Sequence, residues 1–426
     1  MSASPAAAHA HGDDEHHHHH HGDDPSVKAV APPWTDGKRY AWLLGLVVPT
    51  IPFIAWGFAE ASGLGIFWWF GPFFIFGVMP LLDRLGGSDR SNPPESAIKW
   101  LEEDRYYRWC TYLFIPLQLA STVFSAWMWS RGILTVPEAV GLAFSLGSSN
   151  GIAIANAHEL GHKRESIEKW LAKIALAPTF YGHFFIEHNR GHHVRVSTPE
   201  DPASSRMGEN FYEFLPRTVI GSLKSAWELE AKRFERQGKS PISIKNDLIN
   251  AWLMSVGLFA GLIAVFGIEI APYLVIQAVF GFSMLEVVNY IEHYGLLRQK
   301  KDDGRYERCQ PNHSWNSNLV ASNVFLYHLQ RHSDHHAHPL RRYQALRHFD
   351  EAPELPAGYA GMIVLAYLPP VWKRVMDKRV VAHYGGDVTL ANISPRARKR
   401  ILKKWGRGGG GGSSPAGFSP LAGAGS

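Results

Sequence analysis

Six apolar stretches, each about as long as the ~20 residues a helix needs to cross a bilayer, constrain this chain more than anything else in it. They cover residues 42–59, 64–82, 109–130, 136–157, 248–268 and 271–288. Lipid offers no hydrogen bonds, so each stretch must satisfy its own backbone as a helix. The expected fold is therefore an all-α integral membrane protein with six transmembrane helices. Short turns at 60–63, 131–135 and 269–270 pair them into three hairpins. Pro137 and Pro272 stand near the starts of the fourth and sixth spans, where a missing N–H costs little. Pro49, Pro52 and Pro116 lie inside spans and predict local kinks. Gly141, Ser145, Ser148 and Ser149 in the fourth span permit close helix approach. Two shorter apolar pieces, 171–186 (broken by Pro178 and Gly182) and 359–372 (broken by Pro369 and Pro370), read as interfacial or re-entrant segments.

Charge sets the orientation. Of the 43 Lys and Arg residues, Arg131 alone lies in a short turn; the rest fall in the N-terminal tail, the 83–108 loop, the 158–247 region or the segment after 288. The positive-inside rule places these four regions, and both termini, in the cytoplasm. The same bias accounts for the net charge of +5 without any nucleic-acid partner. Residues 1–39 read as a disordered, His- and Asp-rich tail with no cleavable signal peptide. Residues 40–390 read as the membrane domain with a cytoplasmic His-rich helical part, 391–407 as a basic segment and 408–426 as a flexible Gly/Ser/Pro linker. Cys110 and Cys309 have no partner at metal-ligand spacing, so no thiolate site is encoded.

The 23 histidines are unevenly placed. Eight occur in the first 21 residues, including the run 16–21, which reads as a tag or tail. Four other groups lie in the predicted cytoplasmic regions: HELGH at 158–162, EHNRGHH at 187–193, NYIEHYG at 289–295 and LQRHSDHH at 329–336. On a helix, positions i and i+4 share a face, so His158 and His162 can reach one metal. A single histidine at a helix end is usually a hydrogen-bonded structural residue, and His293 alone would be read so. Nine imidazoles together are another matter: protonated they repel, and neutral they leave ring nitrogens unpartnered. Metal binding removes both costs, and nine ligands exceed what one metal takes, so two metals are inferred. HELGH also matches the zinc-protease pattern, with Glu159 as general base, but that site needs only three protein ligands.

Taken together, HELGH, EHNRGHH, NYIEHYG and LQRHSDHH resemble the four histidine boxes of the AlkB-type alkane 1-monooxygenases, bacterial membrane non-haem diiron hydroxylases. The resemblance runs from about residue 40 to about residue 384 and includes HHVRVSTPEDP at 192–202 and NHSWN at 312–316. Membrane fatty-acid desaturases and hydroxylases share three of the boxes; NYIEHYG separates this chain from them. The resemblance implies two iron ions held by His158, His162, His188, His192, His193, His293, His332, His335 and His336. It implies terminal hydroxylation of medium-chain n-alkanes by O2 in a bacterial inner membrane. A desaturase acting on acyl chains is the alternative activity.

The acidic neighbours Glu159, Glu187, Glu292 and Asp334, with His313, are candidates to orient the ligands from behind. Trp56, Phe67, Trp68 and Phe70 are candidate stops in a substrate tunnel. His183, His328, His338, His348 and His383 read as structural. A metal transporter would place polar ligands along the spans, and Gln118, Asn150, Gln277 and Glu286 are too scattered for that. The chain has no flavin or haem motif, and the G-x-G-x-x-G beginning at Gly406 lacks a preceding strand. Electrons must come from outside. The resemblance implies rubredoxin, separate or fused beyond the linker, fed by an NADH-dependent rubredoxin reductase, and the basic stretch 396–404 suits an acidic partner.

Overall fold

The computed structural model describes residues 34–406, and among these it is helical, with isolated bridge pairs and no named strand. The tail, its histidine run and the 408–426 linker lie outside the described residues, apart from the end of the tail at 34–39. Four helices are long and apolar enough to cross a membrane: α1 (Ala41–Ser62), α2 (Gly65–Gly86), and further along Asp247–Phe266 and Ile268–His293. Between the pairs come Arg105–Tyr112, α3 (Phe114–Ser130), α4 (Val136–Gly161), α5 (Ser166–Leu176) and α6 (Phe211–Arg236). With Asp247–Phe266 as α7 and Ile268–His293 as α8, the chain continues to α9 (His332–Ala337), α10 (Tyr359–Ala366), α11 (Pro369–His383) and α12 (Arg398–Trp405).

Helix α4 is the axis. Thr135 and Glu138 close a reciprocal capping box at its start, and from Gly141 to Gly161 nearly every residue is buried. Small residues let its neighbours come close. A Cβ on Gly151 would lie 3.0 Å from the Gly281 carbonyl oxygen of α8, and one on Gly71 of α2 would lie 2.4 Å from Ser145 Cα.

The prolines inside α1 and α2 alter the helix type. The first turns of α1, containing Pro49, are 3-10, and α2 passes through 3-10, α and π turns. Pro52 cannot bond the Val48 carbonyl, and Ser149 Oγ donates to it instead at 2.7 Å. Pro72 likewise frees the Trp68 carbonyl, which accepts from Ser145 Oγ at 2.6 Å; the same hydroxyl accepts from Gly71 N at 2.9 Å. Serines of α4 thus replace the hydrogen bonds that proline removes, the condition for irregular backbone in an apolar bundle. Pro116 is the third residue of α3, after a break at Leu113, where its N–H is not needed.

Segment 171–186 is a helix, a break and a helix: α5 ends at Leu176, a 3-10 turn follows, Phe180 takes φ 55°, and a short helix runs His183–Ile186. Segment 359–372 is α10 and the start of α11, broken ahead of Pro369. Helices α4 and α8 extend beyond the expected 157 and 288 limits, to Gly161 and His293. That extra turn carries His158 and His293 on rigid helix rather than on loop.

Candidate metal centre

All nine histidines of the four boxes converge. Ring nitrogens of His158, His162, His188, His193 and His335 lie within 4.8 Å of one another, and those of His192, His293, His332 and His336 do the same. The two pools abut, with the His193 and His336 rings stacked 4.3 Å apart between centroids. Seven of the nine are buried; His193 and His336 are partly exposed.

Helix type decides the partition. Residues Glu187–His192 form a π turn, with one residue more per turn than sequence periodicity assumes. His188 therefore faces His193, Nε2 to Nε2 at 3.1 Å, while His192 turns to the other pool. In α9 the i, i+4 pair His332 and His336 meet at 2.9 Å, and His335 crosses to the five-membered pool, 3.2 Å from His193.

These spacings fit metal ligation. Donors at right angles on a metal with bonds of about 2.1 Å sit about 3 Å apart. His293 gives its Nδ1 proton to the His313 carbonyl at 2.9 Å, so its Nε2 carries a lone pair, yet that atom lies 3.1 Å from His332 Nε2. Buried Nε2 atoms of His158, His162 and His192 have no hydrogen-bond partner. Burial first, then neighbouring imidazoles, holds His188, His193, His332, His335 and His336 well below the usual histidine range. They are neutral at pH 7, the ligating form.

Of the five orienting candidates, two reach an imidazole. The Glu292 carboxylate lies directly against His332 Nε2, and His313 contributes its carbonyl while its ring turns to Glu307. Glu187 pairs with Arg195 at 2.7 Å, and Asp334 with Arg341 at 2.9 Å. Glu159 accepts from the Tyr343 amide at 3.1 Å and faces Lys163 at 3.2 Å. A protease base would face a metal-bound water, so this geometry weighs against the zinc-protease alternative. Sequence reasoning missed Asp201, which is fully buried and accepts from His192 Nδ1 at 2.6 Å, Ser204 Oγ at 2.6 Å and Ala203 N at 3.1 Å. The signal was an aspartate nine residues past His192 in a tight Thr-Pro-Glu-Asp-Pro turn. Asp201→Asn is expected to weaken metal retention in the four-imidazole pool about 10- to 100-fold, read by metal content against chelator concentration. Retention equal to wild type would show that the carboxylate does not orient His192.

An apolar cavity opens one turn from the imidazoles, lined by Ile75, Ile152, Ala155, Met284, Val288 and Leu329 among others. Ala155 precedes His158 by three residues and Leu329 precedes His332 by three. The tunnel candidates lie farther along α1 and α2. Trp68 is buried against Ala55, Met128 and Leu142, Phe67 and Phe70 are half-buried, and Trp56 is exposed and packs on Phe124. None of the four lines this cavity.

Four apolar helices of membrane length, with two abutting pools of imidazoles that could hold metal, define a metal-binding class of membrane protein. Residues 133–366 match the fatty acid desaturase family. The chain is 50% identical to the alkane 1-monooxygenase of Acinetobacter baylyi, over 87% of this chain and 92% of that one. It is 47% identical to the alkane 1-monooxygenase of Ectopseudomonas oleovorans, over 90% and 96%. It is 27% identical to the xylene/toluene monooxygenase hydroxylase component of Pseudomonas putida, over 62% and 64%. The chain belongs to the alkane 1-monooxygenase family.

Proposed function

We propose that this protein hydroxylates the terminal carbon of medium-chain n-alkanes, using O2 and electrons from rubredoxin, at a diiron centre held by the nine histidines. The observation that carries the reading is the pair of abutting imidazole pools, with a small cavity of wholly apolar lining one turn away. His158, His162, His188, His193 and His335 hold one iron, and His192, His293, His332 and His336 the other. Bound iron supplies the redox chemistry that activates O2. The chain's own residues do the rest. Asp201 and the His313 carbonyl fix the tautomers of His192 and His293. Glu292 adds a carboxylate to the four-imidazole pool. The aliphatic lining aligns a substrate that has no polar handle and keeps water from the reacting carbon.

In this reading α3 and α4 cross the bilayer beside α1, α2, α7 and α8. The six spans form three hairpins in a bacterial inner membrane, with both termini and the metal centre on the cytoplasmic side. Helix α12 carries Arg398, Lys399, Arg400, Lys403 and Lys404 and is anchored by buried Ile401. It offers basic charge to an acidic rubredoxin, kept reduced by an NADH-dependent reductase.

Purified protein is expected to hold two irons per chain and to convert a medium-chain alkane to the 1-alkanol with rubredoxin, reductase and NADH. One zinc and no oxygenated product would sink the reading; an alkene product would move it to the desaturases.

Chain length is set by bulky side chains farther along α1 and α2, with Phe70, Trp68, Phe67 and Trp56 as the candidates although none of them lines the cavity. Single replacements of these four by serine or alanine are tested on a ladder of alkanes. At least one is expected to shift the preferred length by two or more carbons, within the ~1–3 kcal/mol that a methylene is worth to a pocket. Four unchanged profiles would place the stop elsewhere.

A further inference from the structure

Against His188 and His192 lies a second cavity, lined mostly by polar residues and wide enough for about one water. His183, Glu187, Ser222, Glu286 and Asn289 line it with the two ligands. Three observations set it apart. His183 is 4% exposed and its Nε2 has no hydrogen-bond partner. Glu286 is a carboxylic acid near the C-terminal end of the apolar run of α8, 1% exposed. No cation balances it among the described residues. Its partners are the Tyr181 hydroxyl, the Thr218 hydroxyl at 3.0 Å and the Asn289 amide at 3.1 Å.

An ionisable residue at such a position is costly, and where it occurs it is usually functional. The network suits a group that changes protonation. With Glu286 ionised, all three neighbours donate to it. With Glu286 protonated, the Thr218 hydroxyl turns and accepts, because a hydroxyl serves as donor or acceptor. One rotation accommodates both states.

The proposed reaction needs such a group. Its balance is RH + O2 + 2 e⁻ + 2 H⁺ → ROH + H2O. The electrons come from the reductant protein, one oxygen atom enters the C–H bond and the other leaves as water. The two protons must reach a centre whose ligands are mostly buried. Glu187 also lines the cavity; its Oε1 accepts from Arg195, which also donates to Ser225 at 2.9 Å, and its Oε2 has no hydrogen-bond partner.

We propose that the polar cavity is the last stage of proton supply to the metal centre. A water anchored by His183 Nε2 passes protons past His188 and His192 to the oxygen atom that leaves as water, and Glu286 releases and regains them with Thr218 as its switch. This rests on the monooxygenase reading, and it assigns the polar cavity to protons and the apolar one to alkane.

The test uses the full iron-loaded protein in detergent or nanodiscs, with Glu286→Gln, Thr218→Val and His183→Phe. In the resting wild-type protein, an infrared carboxyl band that shifts in D2O and vanishes in Glu286→Gln is expected. A high-resolution map is expected to hold an ordered water beside His183 Nε2, lost in His183→Phe. With iron content unchanged, Glu286→Gln should lower alcohol formation about 100-fold, the scale of a lost proton-transfer group. Thr218→Val should raise the solvent isotope effect on alcohol formation about twofold or more. Wild-type isotope effects in both variants overturn the proposal even if rates fall, because a structural role slows turnover without making proton transfer limiting. Absence of both the water and the carboxyl band also overturns it. Failure of the wild-type protein to make alcohol would instead overturn the functional reading, since the band and the water are read without turnover.

Discussion

His193→Ala is expected to cut bound iron from two per chain to one or fewer and to lower alkanol formation at least about 1,000-fold, as when one member of a concerted catalytic group is deleted. His193 occupies the seam. Its Nε2 lies 3.1 Å from His188 and 3.2 Å from His335, and its ring stacks on His336 of the other pool. Its removal takes a ligand from one site and packing from the other. It also leaves neighbouring imidazoles with buried nitrogens and one fewer centre on which to converge, a cost of about 1–3 kcal/mol each. His338→Ala is the control: it stands two residues past His336 but is exposed and belongs to neither pool. Metal analysis and product assay are read together. If His193→Ala keeps two irons and turns over, the five-imidazole assignment is wrong.

The second large effect falls on folding. Gly71→Val is expected to lower the thermal midpoint on the order of 10 °C and to reduce the folded yield, while Gly57→Ala leaves both unchanged. A Cβ at Gly71 would meet Ser145 Cα at 2.4 Å and Ser145 O at 2.9 Å, both backbone atoms of the central helix. Neither can move without shifting α4, which carries His158 and ends at His162. Overpacking of this kind costs about 1–3 kcal/mol and more against rigid backbone. Displacing α2 also breaks the Gly71 N to Ser145 Oγ bond, worth about 1 kcal/mol. At Gly57 an added Cβ meets nothing within 4 Å, and alanine is the better helix former. Size-exclusion profiles and a thermal ramp in detergent distinguish the two variants. A Gly71→Val protein as stable as wild type would mean that α2 and α4 are farther apart than described.

Much of this protein was legible as pattern. Hydrophobic runs locate the long helices because lipid admits no other backbone solution for a single span. The four histidine boxes name the nine imidazoles that converge, a gathering that is unfavourable without metal. The small residues of the fourth apolar stretch, Gly141 to Ser149, are legible as a close-packing face. What pattern could not supply was the role of those serines as hydrogen-bond donors to carbonyls freed by Pro52 and Pro72, which lie far away in sequence.

Nor could spacing divide the nine imidazoles into their two pools. Read as an α-helix, His188 pairs with His192; the π turn pairs it with His193 and sends His192 to Asp201 and the other pool. A one-residue change in helical repeat leaves no local sequence mark, because it is held by packing from other elements. The same holds for the acidic neighbours. Adjacency suggested Glu159, Glu187 and Asp334, but each is drawn off by a cation brought from elsewhere in the chain or along it. Sequence by itself determined which residue types gather and on which helices they ride, because hydrophobic run length and ligand chemistry are local properties. Only the tertiary structure decided which imidazole faces which, which carboxylate stands behind it, and that one cavity has an apolar lining and the other a mostly polar one, because those depend on side chains from separate segments meeting in space.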